Sequence, residues 1–267
     1  MVMKVSDLGC LDGPVLLFGG PYSNLQATRA LLHQATARKF DSDHLICTGD
    51  VVAYGADPDA SVSAIRASGC AVVAGNCEVQ LADGAGDCGC GFSPGSTCDR
   101  LSAGWYAHAD AALGRDQRRW MKSLPDLAVF SHQGRRCAVI HGGISDVARF
   151  LWPMSGDEEF QNEISIIEDE LGKVDMVFAG HCGLAFQRRI GRVDWVNAGV
   201  IGMPPNDGAR ATRFAILSGG DVWIETLDYD HAGAAAAMRR VGLTQGYDSA
   251  LESGYWPSED VLPPELR

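Results

Sequence analysis

The sequence predicts a single α/β domain in which two stacked mixed β-sheets carry helices on their outer faces. In the first half of the chain, apolar runs alternate with helical patterns, which is typical of βαβ units. In the second half, short strand-like runs follow one another, several in hairpin-like succession. A chain of 267 residues with 46% hydrophobic residues can bury one large core. Because no repeat or linker divides it, we expect residues 1–267 to form one domain.

The first half is predicted to consist of strands that lead into helices or into glycine-containing loops. The predicted strands are residues 15–18, 44–47 and 71–74. The predicted helices are residues 24–40 and 58–68. Since the carboxyl ends of parallel strands meet at one edge of a sheet, we expect the loops after these strands to carry function.

The second half is predicted to be strand-rich and to end in a helical tail. The predicted strands are residues 127–131, 136–141, 174–179, 185–190, 194–197, 214–218 and 222–227. The tail, residues 231–267, is expected to be helical over 231–241 and 248–254, where alanines favour a helix. Between the halves, residues 83–104 are so rich in Gly, Ser and Cys that we expect a long loop at the mouth of a site.

Bulk properties exclude several classes of partner. The net charge of −12 argues against nucleic acid, whose binders usually present a basic face. No stretch approaches the roughly 20 apolar residues that a membrane span needs. The N-terminus shows no export signal, so we expect a cytoplasmic protein whose nine cysteines are reduced thiols rather than disulfides.

Four polar motifs follow predicted strands and carry candidate metal ligands. They supply one carboxylate, one amide oxygen and two imidazoles, a mixed oxygen and nitrogen set that suits Mn, Fe, Zn, Ni or Co better than Ca. The motifs are Gly49-Asp50, Gly75-Asn76-Cys77-Glu78, His141-Gly142-Gly143 and Gly180-His181-Cys182-Gly183.

The order of these motifs resembles the calcineurin-like metallophosphoesterase superfamily, in particular its small bacterial phosphodiesterases. The family pattern is DxH, GDxx, GNH[DE], a lone His and GHxH, and residues 195–204 resemble the NPGSVGxPR segment that follows it. The resemblance implies a four-layer α/β/β/α sandwich and one divalent ion, Mn, Fe, Zn or Ni, held by Asp50, Asn76, His141 and His181. It also implies hydrolysis of a small phosphomonoester or phosphodiester by metal-activated water.

The chain departs from the family pattern at the other metal site. The DxH positions read Gly20-Pro21-Tyr22, and Gly183 stands at the last His of GHxH. The resemblance therefore implies a degenerate first site, where Tyr22 either binds a ferric ion as phenolate or lines a pocket with its hydroxyl. Cys77 stands where the family has its general-acid His, so we expect Cys77 and Asp50 to be the catalytic residues.

The cysteines leave the function open among three alternatives. A second metal, zinc or iron, could be recruited by soft ligands around the motif loops, although free thiols or a redox-labile pair are the alternative. The candidate ligands are Cys77, Cys88, Cys90, Cys98, Cys182 and Tyr22. The first alternative is a phosphoesterase with one metal, and the second is a metalloprotein with a cysteine-bound second metal and altered chemistry. The third is a non-catalytic member that binds a ligand or partner. The sequence does not predict the oligomeric state.

Overall fold

The structure, a computed structural model, describes residues 3–267 and contains two mixed β-sheets. Its strands are β1 (Val5–Cys10), β2 (Val15–Phe18), β3 (Leu45–Cys47), β4 (Ala71–Val72), β5 (Leu127–His132), β6 (Arg135–Val139), β7 (Met176–Ala179), β8 (Ala185–Ile190), β9 (Val193–Ala198), β10 (Thr212–Ser218) and β11 (Asp221–Leu227). Its α-helices are α1 (Leu25–Ala37), α2 (Pro58–Ser68), α3 (Asn76–Asp83), α4 (Thr97–Ala112), α5 (Arg115–Ser123), α6 (Asp157–Leu171), α7 (His231–Arg240) and α8 (Tyr247–Ser253).

Each sheet contains a run of three neighbouring parallel strands. The six-stranded sheet has the order β1-β5-β6-β7-β9-β8, and the five-stranded sheet has the order β11-β10-β2-β3-β4. In the larger sheet β6, β7 and β9 run parallel, and in the smaller sheet β2, β3 and β4 do. The antiparallel pairs β8–β9 and β10–β11 are the predicted hairpins.

Three hydrophobic clusters separate the layers. Between the sheets, Leu17 and Ile46 of the smaller sheet share a cluster with Phe130 and Phe178 of the larger. Phe160 of α6 belongs to a second cluster that covers the outer face of the larger sheet. A third cluster joins the smaller sheet to α1, α2 and α7. The predicted four-layer sandwich of two mixed sheets flanked by helices is therefore confirmed.

The segment between the two halves contains more regular structure than predicted. The predicted loop over residues 83–104 is wrong from Thr97 onward, because α4 begins there. The Ser96 hydroxyl caps this helix by accepting a hydrogen bond from the Asp99 backbone N–H at 3.2 Å. The irregular segment is therefore residues 84–96. Within it, Cys88 and Cys90 form a disulfide, so the prediction of reduced thiols is wrong for this pair.

Several elements had no counterpart in the prediction, or end earlier than predicted. Strand β1 and helices α3, α5 and α6 were not predicted. The predicted helical tail over residues 231–267 is helical only as far as Ser253, apart from a 3-10 turn at Pro264–Leu266. Within residues 3–267, no helix is both long and apolar enough to cross a membrane.

Candidate metal centre

The four predicted ligands lie at the carboxyl ends of neighbouring parallel strands. Asp50 follows β3, and Asn76 follows β4 as the first residue of α3. His141 follows β6, and His181 follows β7. Because β3 and β4 are parallel neighbours in one sheet and β6 and β7 in the other, both sheets deliver two side chains to the same edge.

The ligand atoms converge on one point. Nε2 of His141 lies 3.1 Å from Oδ1 of Asn76, 3.1 Å from Nδ1 of His181 and 3.3 Å from Oδ2 of Asp50. One ligand atom each of Asp50, His141 and His181 lies within 4.8 Å of the other two. Ligands about 2.0–2.2 Å from a transition metal are themselves roughly 3–3.6 Å apart in tetrahedral or octahedral sites. The observed separations suit such an ion.

The hydrogen-bond partners of these residues show that lone pairs face each other. Nδ1 of His141 lies 2.6 Å from the Thr48 carbonyl oxygen and donates to it, so a neutral His141 presents the lone pair of Nε2 to the cluster. Nδ2 of Asn76 donates to the Cys88 carbonyl at 2.9 Å, which leaves Oδ1 turned toward His141. Together with the Asp50 carboxylate, these acceptors need a cation between them, and the residues present fit a metal ion.

Burial and neighbouring charges shift the pKa values of the cluster residues. Burial raises the pKa of Asp50, but the His141 and His181 imidazoles outweigh it and hold this pKa below its ordinary value. Burial and the neighbouring His141 lower the pKa of His181 to about 3, so its imidazole is neutral. Nε2 of His181 faces the Ala148 carbonyl but does not reach hydrogen-bond geometry with it. With His141 also neutral, the cluster would have a carboxylate beside two neutral imidazoles, which is the protonation state that metal binding needs.

Glu78 holds two of the ligand loops together. Its fully buried carboxylate accepts hydrogen bonds from the backbone N–H of Asp50 at 2.8 Å and of Gly75 at 2.9 Å, and a longer one from Val52 at 3.3 Å. Burial and the Asp50 charge raise the pKa of Glu78 to about 7. A Cβ atom at Gly75 would clash with the Asp50 carboxylate, so only glycine allows this approach. The sequence contains Glu78 in its motif, but its supporting role was not predicted.

Aromatic side chains fill the space beside Gly20 and Gly183, the two glycines of the predicted degenerate site. A Cβ atom at Gly20 would lie 2.6 Å from Cζ of Tyr22, and one at Gly183 would lie 3.1 Å from Cζ2 of Trp256. Burial and the Asp50 charge raise the pKa of Tyr22 well above its usual value, which favours the phenol over the phenolate. Of the two roles considered for Tyr22, the position favours a hydroxyl that lines a pocket.

The cysteines surround the cluster without joining it. The Cys77 thiol is 1% exposed and does not line the cavity beside the cluster. Burial and then the Asp50 charge raise the pKa of this thiol well above its usual range, while its backbone N–H contacts Oδ1 of Asp50 at 3.3 Å. Cys90 lies 3.4 Å from Nδ2 of Asn76 but is bonded to Cys88. Cys98 and Cys182 line the cavity.

A soft metal site at these cysteines therefore stays a prediction. Burial raises the pKa of Cys182 to about 12, so its thiol is neutral. Within residues 3–267, two groups of three His, Cys, Asp or Glu ligand atoms lie within 4.8 Å of one another, and neither contains a cysteine. The second group, Asp41, Asp43 and His44, is mostly exposed and lies apart from the cluster.

A cavity of about 60 Å³ opens beside Asp50 and His181. The segment after α8 covers it, and Trp256 anchors this cover by donating from Nε1 to the Pro204 carbonyl at 2.7 Å. Phe92 and Phe150 also line the cavity. Of these three residues, only Phe92 lies in a segment that was predicted to border a site, the loop over residues 83–104. Trp256 and Phe150 belong neither to a polar motif nor to a predicted strand end.

Comparisons with known proteins agree with this geometry. A family model described as the calcineurin-like phosphoesterase superfamily domain matches residues 5–219. A metallophosphoesterase structure from Sphaerobacter thermophilus is 19% identical, with a TM-score of 0.68, and covers 91% of this chain and 100% of its own. A hypothetical protein from Pyrococcus horikoshii OT3 is 15% identical, with a TM-score of 0.71, and covers 92% of this chain and 98% of its own. At these identities the two structures show a shared fold. Comparison with curated proteins finds no match.

Proposed function

Because the chain belongs to the calcineurin-like phosphoesterase superfamily, we propose that it hydrolyses a small phosphoester with a single divalent transition metal, Mn, Fe, Zn or Ni. The ligands would be Asp50, Asn76, His141 and His181. The observation that carries the proposal is the convergence of their acceptor atoms, at 3.1–3.3 Å from Nε2 of His141, inside a buried cluster. The family match supplies the reaction class, and the cluster supplies a place for the metal.

A divalent cation held there would polarise a phosphoryl oxygen and lower the pKa of a water molecule. The chain's own residues set the charge around the cation and offer a hydrogen-bond donor to the substrate. The imidazoles of His141 and His181 and the Asn76 amide contribute no negative charge, so Asp50 alone offsets part of the charge of the cation. The protonated Tyr22 hydroxyl belongs to a residue that lines the cavity, where it can donate a hydrogen bond to a phosphoryl oxygen.

A single metal is proposed because aromatic rings occupy the space beside both glycines of the other site. Two-metal hydrolysis needs ions about 3.5–4 Å apart that clamp the attacking and leaving oxygens. Neither Gly20 nor Gly183 offers a side-chain ligand, and the rings of Tyr22 and Trp256 leave each of them little room for one. The buried position of Cys77 gives no support to its proposed role as general acid.

The test compares hydrolysis of bis(p-nitrophenyl) phosphate and p-nitrophenyl phosphate by protein loaded with Mn²⁺ and by protein treated with a chelator. We expect turnover that depends on the metal and falls about 100-fold or more in His181→Ala, since loss of one ligand weakens metal binding. His33→Ala is the matched control, because His33 is exposed on α1 and should leave turnover unchanged. No turnover of either ester by metal-loaded protein would overturn the proposal.

A further inference from the structure

The cavity beside the cluster is walled by aromatic side chains. Tyr54 contacts both Tyr22 and Tyr247, with ring centroids 4.8 and 4.6 Å apart. Phe150 lies against the His181 ring, with centroids 4.3 Å apart. Six aromatic residues line the cavity in all, namely Tyr22, Tyr54, Phe92, Phe150, Tyr247 and Trp256. Such walls favour flat apolar groups through burial and through edge or stacked ring contacts.

The charge around the cavity is small. Among the residues that line it, all within the described part of the chain, only Asp50 and His181 have acidic or basic side chains, and none is Lys or Arg. Arg149 is engaged elsewhere, since it pairs with Glu159 at 3.5 Å and with Glu163 at 3.4 Å. A divalent ion bound by the cluster would supply positive charge at the cavity wall, and the Asp50 carboxylate would offset part of it.

We infer that the site selects a phosphodiester monoanion with an aromatic ester group over a phosphomonoester dianion. This inference rests on the proposed metal site and deepens it by naming the substrate class. A diester carries one negative charge, one fewer than a phosphomonoester dianion, so the metal ion would offset a larger share of the charge of a diester. The second charge of a monoester would face aromatic and aliphatic walls without a cationic partner, and an unpaired buried charge is costly.

The cover over the cavity contributes part of the cavity lining. Trp256, Ser258 and Val261 all lie beyond residue 219, where the family match ends. A cavity of about 60 Å³ has room for about four water molecules, which is enough for a phosphoryl group. An aromatic ester group would therefore extend from the phosphoryl group along Trp256 and Phe92 at the cover.

The test measures binding to Mn²⁺-loaded protein by titration calorimetry with three ligands, compared in two pairs. Methyl phenyl phosphate and phenyl phosphate share a ring and differ by one methyl group and one charge. Methyl phenyl phosphate and dimethyl phosphate share the charge and differ by the ring. We expect methyl phenyl phosphate to bind about tenfold tighter than either of the others, from the missing second charge in one comparison and the ring in the other.

Variants of two aromatic residues that line the cavity show which side chains produce the preference for the ring. Trp256→Ala should lower the ratio of methyl phenyl phosphate to dimethyl phosphate affinity by about threefold or more. Phe92→Ala removes a ring carried by a different segment and should lower the same ratio. Trp223→Ala is the matched control, since Trp223 is 59% exposed on β11 and does not line the cavity.

The outcomes separate this inference from the proposed function. Equal or tighter binding of phenyl phosphate, or an unchanged ratio of methyl phenyl phosphate to dimethyl phosphate affinity in both Trp256→Ala and Phe92→Ala, overturns the inference. Selective binding of methyl phenyl phosphate without hydrolysis of any ester supports the substrate class and overturns the hydrolase proposal. Hydrolysis with a preference for the monoester keeps the proposed function and overturns the inference alone.

Discussion

Replacing Glu78 with Gln should make the metal-free protein more stable at pH 8. The Glu78 carboxylate is fully buried close to Asp50, and burial with that neighbouring charge raises its pKa from 4.5 to about 7. At about 1.4 kcal/mol per pKa unit, the folded state is penalised by about 3 kcal/mol when the side chain is ionised. The neutral amide of Gln removes this penalty.

The amide keeps most of the hydrogen bonds. The Gln carbonyl oxygen can still accept both hydrogen bonds that Oε2 accepts, from the backbone N–H groups of Asp50 and Gly75. The 3.3 Å hydrogen bond from the Val52 N–H is lost, which lowers the free energy of unfolding by about 1 kcal/mol. The net gain is about 2 kcal/mol, which raises the melting temperature by roughly 4–8 °C in a protein of this size. Melting curves recorded by circular dichroism in the presence of a chelator would measure it.

The pH dependence of the gain has a definite sign. The pKa of Glu78 is higher in the folded state than in the unfolded state, so the folded state binds the proton first as the pH falls. The free energy of unfolding of wild type therefore rises as the pH falls from about 7 toward 4.5. Since Gln does not titrate, its advantage should be full at pH 8 and gone by about pH 5.

A second buried carboxylate provides the control. Glu163 also accepts two backbone N–H groups, at 2.7 and 2.9 Å, but it has Arg149 as a partner. Glu163→Gln should therefore destabilise the protein at pH 8, by about 1–2 kcal/mol. If Glu78→Gln also lowers the melting temperature at pH 8, Glu78 is not a penalised charge and the reasoning fails.

Three further predictions concern the metal cluster. Burial lowers the pKa of His141, but the Asp50 carboxylate outweighs burial and holds this pKa above its ordinary value. Because protonated His141 cannot bind a metal, the Mn²⁺ affinity measured by calorimetry should fall as the pH falls through this pKa. A flat profile from pH 8 to pH 5 would contradict this prediction. Gly183→His should not add a second metal ion, since the new Cβ atom would lie 3.1 Å from Cζ2 of Trp256. The substitution should lower the free energy of unfolding by about 1–3 kcal/mol. Two ions per chain by elemental analysis would show that there is room for a second ion. Cys88→Ser with Cys90→Ser should keep the metal content of wild type, because no cysteine belongs to the ligand group, whereas loss of metal would assign these residues a role in the site.

The sequence predicted the fold and the positions of the four candidate ligands after strands because both depend on local pattern. The run Val15–Phe18 is fully buried as β2, and Asp50, Asn76, His141 and His181 each follow a strand as predicted. Helix α4 was missed because Ser96 starts a helix immediately after a glycine-rich segment, and composition averaged over residues 83–104 conceals that boundary.

The environment of the site was less predictable because it depends on contacts between distant parts of the chain. Trp256 lies more than 70 residues beyond Gly183 in the sequence, yet its ring packs against that glycine. The roles of Thr48 and Glu78 come from a backbone carbonyl and from three backbone N–H groups, which leave no residue pattern. The disulfide between Cys88 and Cys90 contradicted an expectation based on the absence of an export signal.

The metal content of the purified protein tests the single-site account most directly. Elemental analysis should be combined with Mn²⁺ titration of wild type, Asp50→Ala and His181→Ala, with His33→Ala as the control. The account predicts one ion per chain in wild type and in the control, and loss of that ion in both ligand variants. Two ions per chain in wild type, or an unchanged ion count in Asp50→Ala and His181→Ala, would contradict it.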